Sequence, residues 1–147
     1  MEISIQNVSM TYPSGKQALR DLSLDLGSPS LIGLLGPNGA GKSTLMKLLT
    51  AALLPTSGSI LVDGQPLAKA ERQLKARLGY LPQDFGLFDE LTVTEFLDYM
   101  AALKGVREAK AAIRRVIGAV NLEEKAKARL RTLSGGQRQR VGIAQAL

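Results

Sequence analysis

Cysteine, histidine and tryptophan are all missing from this sequence, and each absence narrows the chemistry open to it. Without cysteine there is no disulfide framework and no thiolate metal site, and without histidine a zinc site is not expected. Aromatics are scarce, with three Tyr and three Phe, so the stacking platforms of a nucleic-acid surface are thin. Long apolar runs are lacking too. Leu31-Ile32 and Leu34-Leu35 around Gly33 fall far short of the roughly 20 residues of a membrane span. The start, Met-Glu-Ile-Ser-Ile-Gln, has neither the basic head nor the apolar stretch of a signal peptide, so a cytoplasmic setting is expected. Acidic residues are the minority, 13 against 19 basic ones, for a net charge of +6. Much of that excess sits in helical clusters such as Arg114-Arg115, Lys125, Lys127, Arg129 and Arg131, which read as solvated faces; no nucleic-acid partner is expected. What remains is ordinary globular usage, 45% apolar and 22% charged over 147 residues, enough for one domain with a sizeable core.

The chain alternates strand and helix patterns, which reads as an α/β fold. Ile3 and Ile5 alternate with polar neighbours and predict a strand over about 2–8. Leu22, Leu24 and Leu26 predict a second, ending at Gly27-Ser28-Pro29. The run Leu31-Ile32-Gly33-Leu34-Leu35 predicts a strand buried on both faces, as in a parallel sheet. A glycine-rich turn and a helix over about 42–54 follow, stopped by Pro55-Thr56-Ser57-Gly58. A strand over 59–62 turns at Asp63-Gly64, a short helix covers about 68–76, and Leu78-Gly79-Tyr80-Leu81 predicts another strand. Thr92 with Glu95 three residues on predicts a capping box, opening a helix to Lys104 that Gly105 closes. Ile113, Val116, Ile117 and Val120 share one face of the next helix, and a last helix opens at Ser134, a suitable N-cap.

Gly36-Pro37-Asn38-Gly39-Ala40-Gly41-Lys42-Ser43 matches the pattern G-x-x-x-x-G-K-[ST] in full. By composition such a match arises by chance roughly once in a few hundred chains of this size, and its place between a strand and a helix makes chance rarer still. Glycines let backbone N–H groups turn toward phosphate oxygens, and the next helix presents its unpaired N–H groups to the same anion. Lys42 adds a charge for the β- and γ-phosphates, and Ser43 a hydroxyl for Mg²⁺. This alone leaves kinases, GTPases and many ATPases open.

Leu133-Ser134-Gly135-Gly136-Gln137 narrows the choice. Physically it is a serine cap with two glycines at a helix start, a second anion-receptive N-terminus. Together with the phosphate loop it makes the chain resemble the ATP-binding cassette (ABC) ATPase family. The resemblance implies an ABC-type core with an N-terminal antiparallel β-subdomain and a helical subdomain: residues 1–82 as β-subdomain and phosphate-loop core, 83–133 as the segment around Gln83 and helical subdomain, 134–147 as signature helix. It implies ATP and Mg²⁺ as ligands. Gly36, Pro37, Asn38, Gly39, Ala40, Gly41, Lys42, Ser43 and Thr44 would hold the phosphates, and Tyr12 would stack on adenine, with a packed strand residue as the lesser alternative for Tyr12. Gln83, like Ser43, would meet Mg²⁺ or its water. Ser134, Gly135, Gly136 and Gln137 would grip the ATP of a second ABC domain, in a homo- or heterodimer. Phe85, Leu87 and Phe88 would lie near a membrane partner or simply pack inside.

The family places an Asp-Glu strand and a switch histidine after the signature helix. The sequence stops at Leu147 and has no histidine, so no catalytic residue is assigned within it. The resemblance therefore implies an ATPase subunit of a transporter, peripheral on the inner face of the cell membrane through transmembrane subunits. As an incomplete domain it is expected to bind ATP without efficient hydrolysis and to be marginally stable. A soluble ABC ATPase outside transport, such as a ribosome-associated factor, is the alternative. A DNA-repair type is disfavoured because no sustained heptads lie between Lys42 and Ser134.

Overall fold

Apolar–polar alternation in the first third of the chain becomes an antiparallel sheet. In the computed structural model, which describes residues 1–82, 86 and 88–147, strand β1 (Glu2–Thr11) pairs with β2 (Gln17–Gly27) on one side and β3 (Ser57–Val62) on the other. A short β4 (Gln65–Pro66) completes the order β2-β1-β3-β4. Asp63 and Gly64 both take positive φ, 50° and 77°, the turn that matches the twist of a two-residue hairpin. Helices α1 (Lys42–Leu49) and α2 (Leu67–Arg77) belong to the same unit, Met1–Leu78. Ile5, Val8 and Met10 of β1 meet Ile60 and Val62 of β3, Leu45 and Leu48 of α1, and Leu67 and Leu74 of α2 in one core.

Three expectations need correction here. Leu31–Leu35 forms no strand: Leu31 and Leu35 stand 102% and 93% exposed. A parallel strand needs neighbours to take its backbone hydrogen bonds and cover its faces. Among the described residues the four strands pair only with one another. Helix α1 stops at Leu49 and not near Leu54, because Ala51 turns left-handed (φ 54°) and the N–H groups of Ala52 and Leu53 fold back onto the Lys47 carbonyl. Leu78–Leu81 also forms no strand. The Tyr80 carbonyl accepts from the Gln145 side chain at 3.1 Å, and a Cβ on Gly79 would collide with the Ala146 carbonyl, so this stretch is satisfied by a helix end.

The second unit, Gly79–Leu147, is helical. Helices α3 (Val93–Lys104), α4 (Ala109–Ala119) and α5 (Gly135–Ala146) enclose Val93, Phe96, Leu97, Ile113, Val116, Ile117, Leu130 and Val141. The expected caps of α3 are present. Thr92 Oγ1 accepts from the Glu95 N–H, the Glu95 carboxylate accepts from the Thr92 N–H at 2.7 Å, and Gly105 closes the helix at φ 69°. Among the described residues no helix is long and apolar enough to cross a membrane.

The Thr92 backbone N–H, and after it the Thr92 side chain, hold the Glu95 carboxyl below the usual carboxylate range, with a smaller pull from Arg129. A lowered folded-state value means the contribution is complete above the ordinary carboxylate range and is lost as pH falls through the folded value. Thermal melts of Glu95→Gln should therefore show a flatter acid limb than the parent chain. Thr92→Ala should lower stability by about 1 kcal/mol at neutral pH, the worth of an N-cap.

Candidate functional site

The loop entering α1 is shaped by one glycine against β2. Gly41 is the N-cap of α1 and adopts φ 88°. A Cβ there would lie 2.5 Å from the Ala18 carbonyl oxygen and 2.7 Å from Leu19 Cδ2. Left-handed backbone and close approach together admit only glycine. No side chain caps this helix. Its first N–H groups, those of Lys42, Ser43 and Thr44, have no acceptor in the chain among the described residues, whereas the Leu45 N–H already reaches the Gly41 carbonyl.

Lys42 folds back over the loop. Its Nζ donates to the Gly36 carbonyl at 2.6 Å and to the Pro37 carbonyl at 2.8 Å. An ammonium has three hydrogens, so these two bonds leave one for a further acceptor. Gly36 through Ala40 are exposed, as is Ser43, and the Ala40 N–H closes a turn onto the Pro37 carbonyl. Thr44 is buried, and its Oγ1 lies 3.1 Å from the hydroxyl of Tyr12, which packs partly buried against the sheet core. The structure thus gathers Tyr12 and residues 36–44 into one place. The positive end of α1, free amides and a pinned ammonium make an anion cradle of strength set by helix dipole and hydrogen bonds together. Sequence reasoning did not find Ala18, whose carbonyl forces Gly41, nor the link from Tyr12 to Thr44.

Ser134 through Gln137 form the second predicted group. Ser134 Oγ accepts from the Gln137 N–H at 3.3 Å, and the Gln137 carboxamide oxygen accepts from the Ser134 N–H at 3.0 Å. This capping box uses the serine as acceptor, which leaves its hydroxyl hydrogen to donate elsewhere. Ser134, Gly135 and Gly136 are exposed. Arg138, one residue on, is anchored to Asp89 at 2.7 Å and to the Leu130 carbonyl at 3.2 Å, while Glu90 meets Arg129 and Arg131. These ties align the segment before α3 with the one leading into α5. Phe88, 54% exposed, stands edge-on to Tyr99 with ring centroids 5.4 Å apart. Gln83, Phe85 and Leu87 lie outside the described residues. Among the described residues no group of three or more carboxylates comes together as a metal site.

A phosphate-loop cradle in one unit and a serine-glycine-glycine helix start in the other define a nucleotide-binding class of protein. The chain belongs to the ABC transporter family, whose model matches residues 19–147. It is 37% identical over 155 residues to the methionine import ATP-binding protein MetN of Corynebacterium jeikeium (strain K411), covering 99% of this chain and 42% of that protein. It is likewise 37% identical over 160 residues to the phosphonates import ATP-binding protein PhnC 1 of Rhodopseudomonas palustris (strain HaA2), covering 99% of this chain and 57% of that one. Among solved structures it resembles a bacterial Atm1-family ABC exporter with ATP bound, at TM-score 0.82 and 30% identity, over 99% of this chain and 27% of the exporter's. The chain thus spans about half the length of the curated relatives it matches.

Gly41→Ala should destabilise the Met1–Leu78 unit by at least about 1–2 kcal/mol, the left-handed penalty alone, with the collision at Ala18 adding to it. Denaturant melts report it. Ser134→Ala should cost about 1 kcal/mol through loss of its cap, read in the same way on the helical unit.

Proposed function

We propose that this chain is the nucleotide-gripping part of an ABC-type ATPase, one that couples ATP binding and hydrolysis to substrate movement through transmembrane partner subunits. The observation that carries the reading is the start of α1, where the free N–H groups of Lys42, Ser43 and Thr44 stand beside the Lys42 ammonium. Amides and ammonium aimed at one point suit a polyphosphate, and charge-assisted hydrogen bonds of this kind are about twice as strong as neutral ones. The exposed Ser43 hydroxyl suits Mg²⁺ held between it and phosphate oxygens, with Gln83 as a further ligand or water contact. Tyr12 supplies an aromatic face for adenine.

Ser134, with the amides of Gly135 and Gly136 that have no acceptor among the described residues, suits the γ-phosphate of an ATP held by a second ABC domain, so that nucleotide becomes the bond between two copies. In this reading residues 1–82 carry the phosphate loop, 83–133 the helical subdomain and 134–147 the signature helix. Exposed Phe88 and Tyr99 give a transmembrane partner an aromatic contact, holding the protein at the inner, cytoplasmic face of the cell membrane. The named relatives include import proteins and an exporter, so the likeness supports the energy-coupling step and carries no direction of transport.

Calorimetric titration with Mg-ATP tests this. The parent chain should bind, and Lys42→Ala should bind more weakly by about 1.5–3 kcal/mol, the worth of a hydrogen bond to a charged group. Equal affinity in the two proteins would remove the reading.

A further inference from the structure

Tyr12 is held at both ends. Its backbone closes the turn between β1 and β2, with the Tyr12 N–H donating to the Lys16 carbonyl at 2.9 Å and the Tyr12 carbonyl accepting from the Gly15 N–H at 2.8 Å. Its ring packs against the sheet core, and its hydroxyl lies 3.1 Å from Oγ1 of Thr44. Thr44 belongs to the first turn of α1, the same turn whose amides are free, and is 7% exposed. Thr44 is buried and Tyr12 half-buried, so the Thr44 hydroxyl cannot lose this partner without leaving a buried polar group unpaired.

We propose that Thr44 is a positioning residue for Tyr12. By fastening the phenol hydroxyl to the first turn of α1, it sets a fixed span between an aromatic face and the phosphate-gripping amides. The site then selects ligands that carry a planar base at that distance from a polyphosphate and discriminates against polyphosphate alone. This rests on the reading of residues 36–44 as a nucleotide site. A fixed plate costs less ordering on binding than a mobile one, which is how an internal hydrogen bond raises affinity for a ligand it never touches.

The probes are Mg-ATP and inorganic tripolyphosphate, titrated against the 147-residue chain, Tyr12→Phe, Thr44→Val, Thr44→Ser and the Tyr12→Phe/Thr44→Val double variant. The quantity read is the ratio of ATP to tripolyphosphate affinity, which a general loss of the phosphate cradle does not move. The ratio should fall about two- to tenfold in Tyr12→Phe and in Thr44→Val, the range expected for one hydrogen bond. It should fall no further in the double variant and return toward the parent value in Thr44→Ser. A parent-like ratio in Tyr12→Phe, or losses that multiply in the double variant, overturns the proposal. Tyr12→Phe keeps the ring and decides the matter if Thr44→Val fails to fold. A parent chain that binds tripolyphosphate as tightly as ATP overturns the proposal alone. One that binds neither overturns the nucleotide reading and this inference with it.

Discussion

The amide hydrogens at the start of α1 cannot be satisfied by the helix that bears them, and the arrangement around them follows from that constraint. An α-helix leaves its first N–H groups without carbonyl partners, and a protein meets this with a capping side chain, with water or with a ligand. Helices α3 and α5 take the first course, each with a reciprocal capping box. Helix α1 does not, because its N-cap is Gly41 and offers no side-chain acceptor. The difference is built from outside the helix. The Ala18 carbonyl of β2 occupies the place where any larger N-cap residue would put its Cβ. A close contact with a neighbouring strand therefore denies α1 a side-chain cap, and among the described residues its first amides have no acceptor.

The lysine side chain extends the same logic. Lys42 needs acceptors, and it finds them in the carbonyls of Gly36 and Pro37, at the far end of the loop. The loop is thus drawn over the helix start by its own ammonium, which screens those carbonyls from an incoming anion and adds a full charge to a partial dipole. Tyr12 joins this assembly from the hairpin side through Thr44. The β1–β2 hairpin, through Tyr12 and Ala18, and the loop before α1 come together around one turn of helix.

The helical unit uses polar contacts differently. Its core is apolar, with Leu130, Val93 and Val141 fully covered. Its exposed ion pairs, Asp89 with Arg138 and Glu90 with Arg129 and Arg131, contribute little to stability, since pairs that open to water are worth about 0–1 kcal/mol. Their effect is alignment. The Leu130 N–H also donates to the Leu91 carbonyl and the Arg131 N–H to the Asp89 carbonyl, so residues 89–91 and 129–131 lie side by side. The capped starts of α3 and α5 follow directly from these two segments.

Much of this was legible in the residues because it is governed by local rules. Thr92 with Glu95, Ser134 with Gln137, Asp63-Gly64 and Gly105 each specify their own geometry within four residues, and the structure has all of them. The shape of the loop entering α1 was legible for the same reason, as a spacing of glycines before Lys42 and Ser43. The end of α1 was not, because Ala51 takes a left-handed turn that its chemistry does not advertise. Leu31–Leu35 and Leu78–Leu81 show the deeper limit. An apolar run states that it suits a buried strand, but a strand exists only where another offers its hydrogen bonds, and that is decided in three dimensions. So too with the site. The sequence by itself determined where charge, hydroxyls and missing side chains fall along residues 36–44. Only the tertiary structure decided that β2 would forbid a cap on α1 and that Thr44 would hold Tyr12, because both depend on atoms brought together from far along the chain.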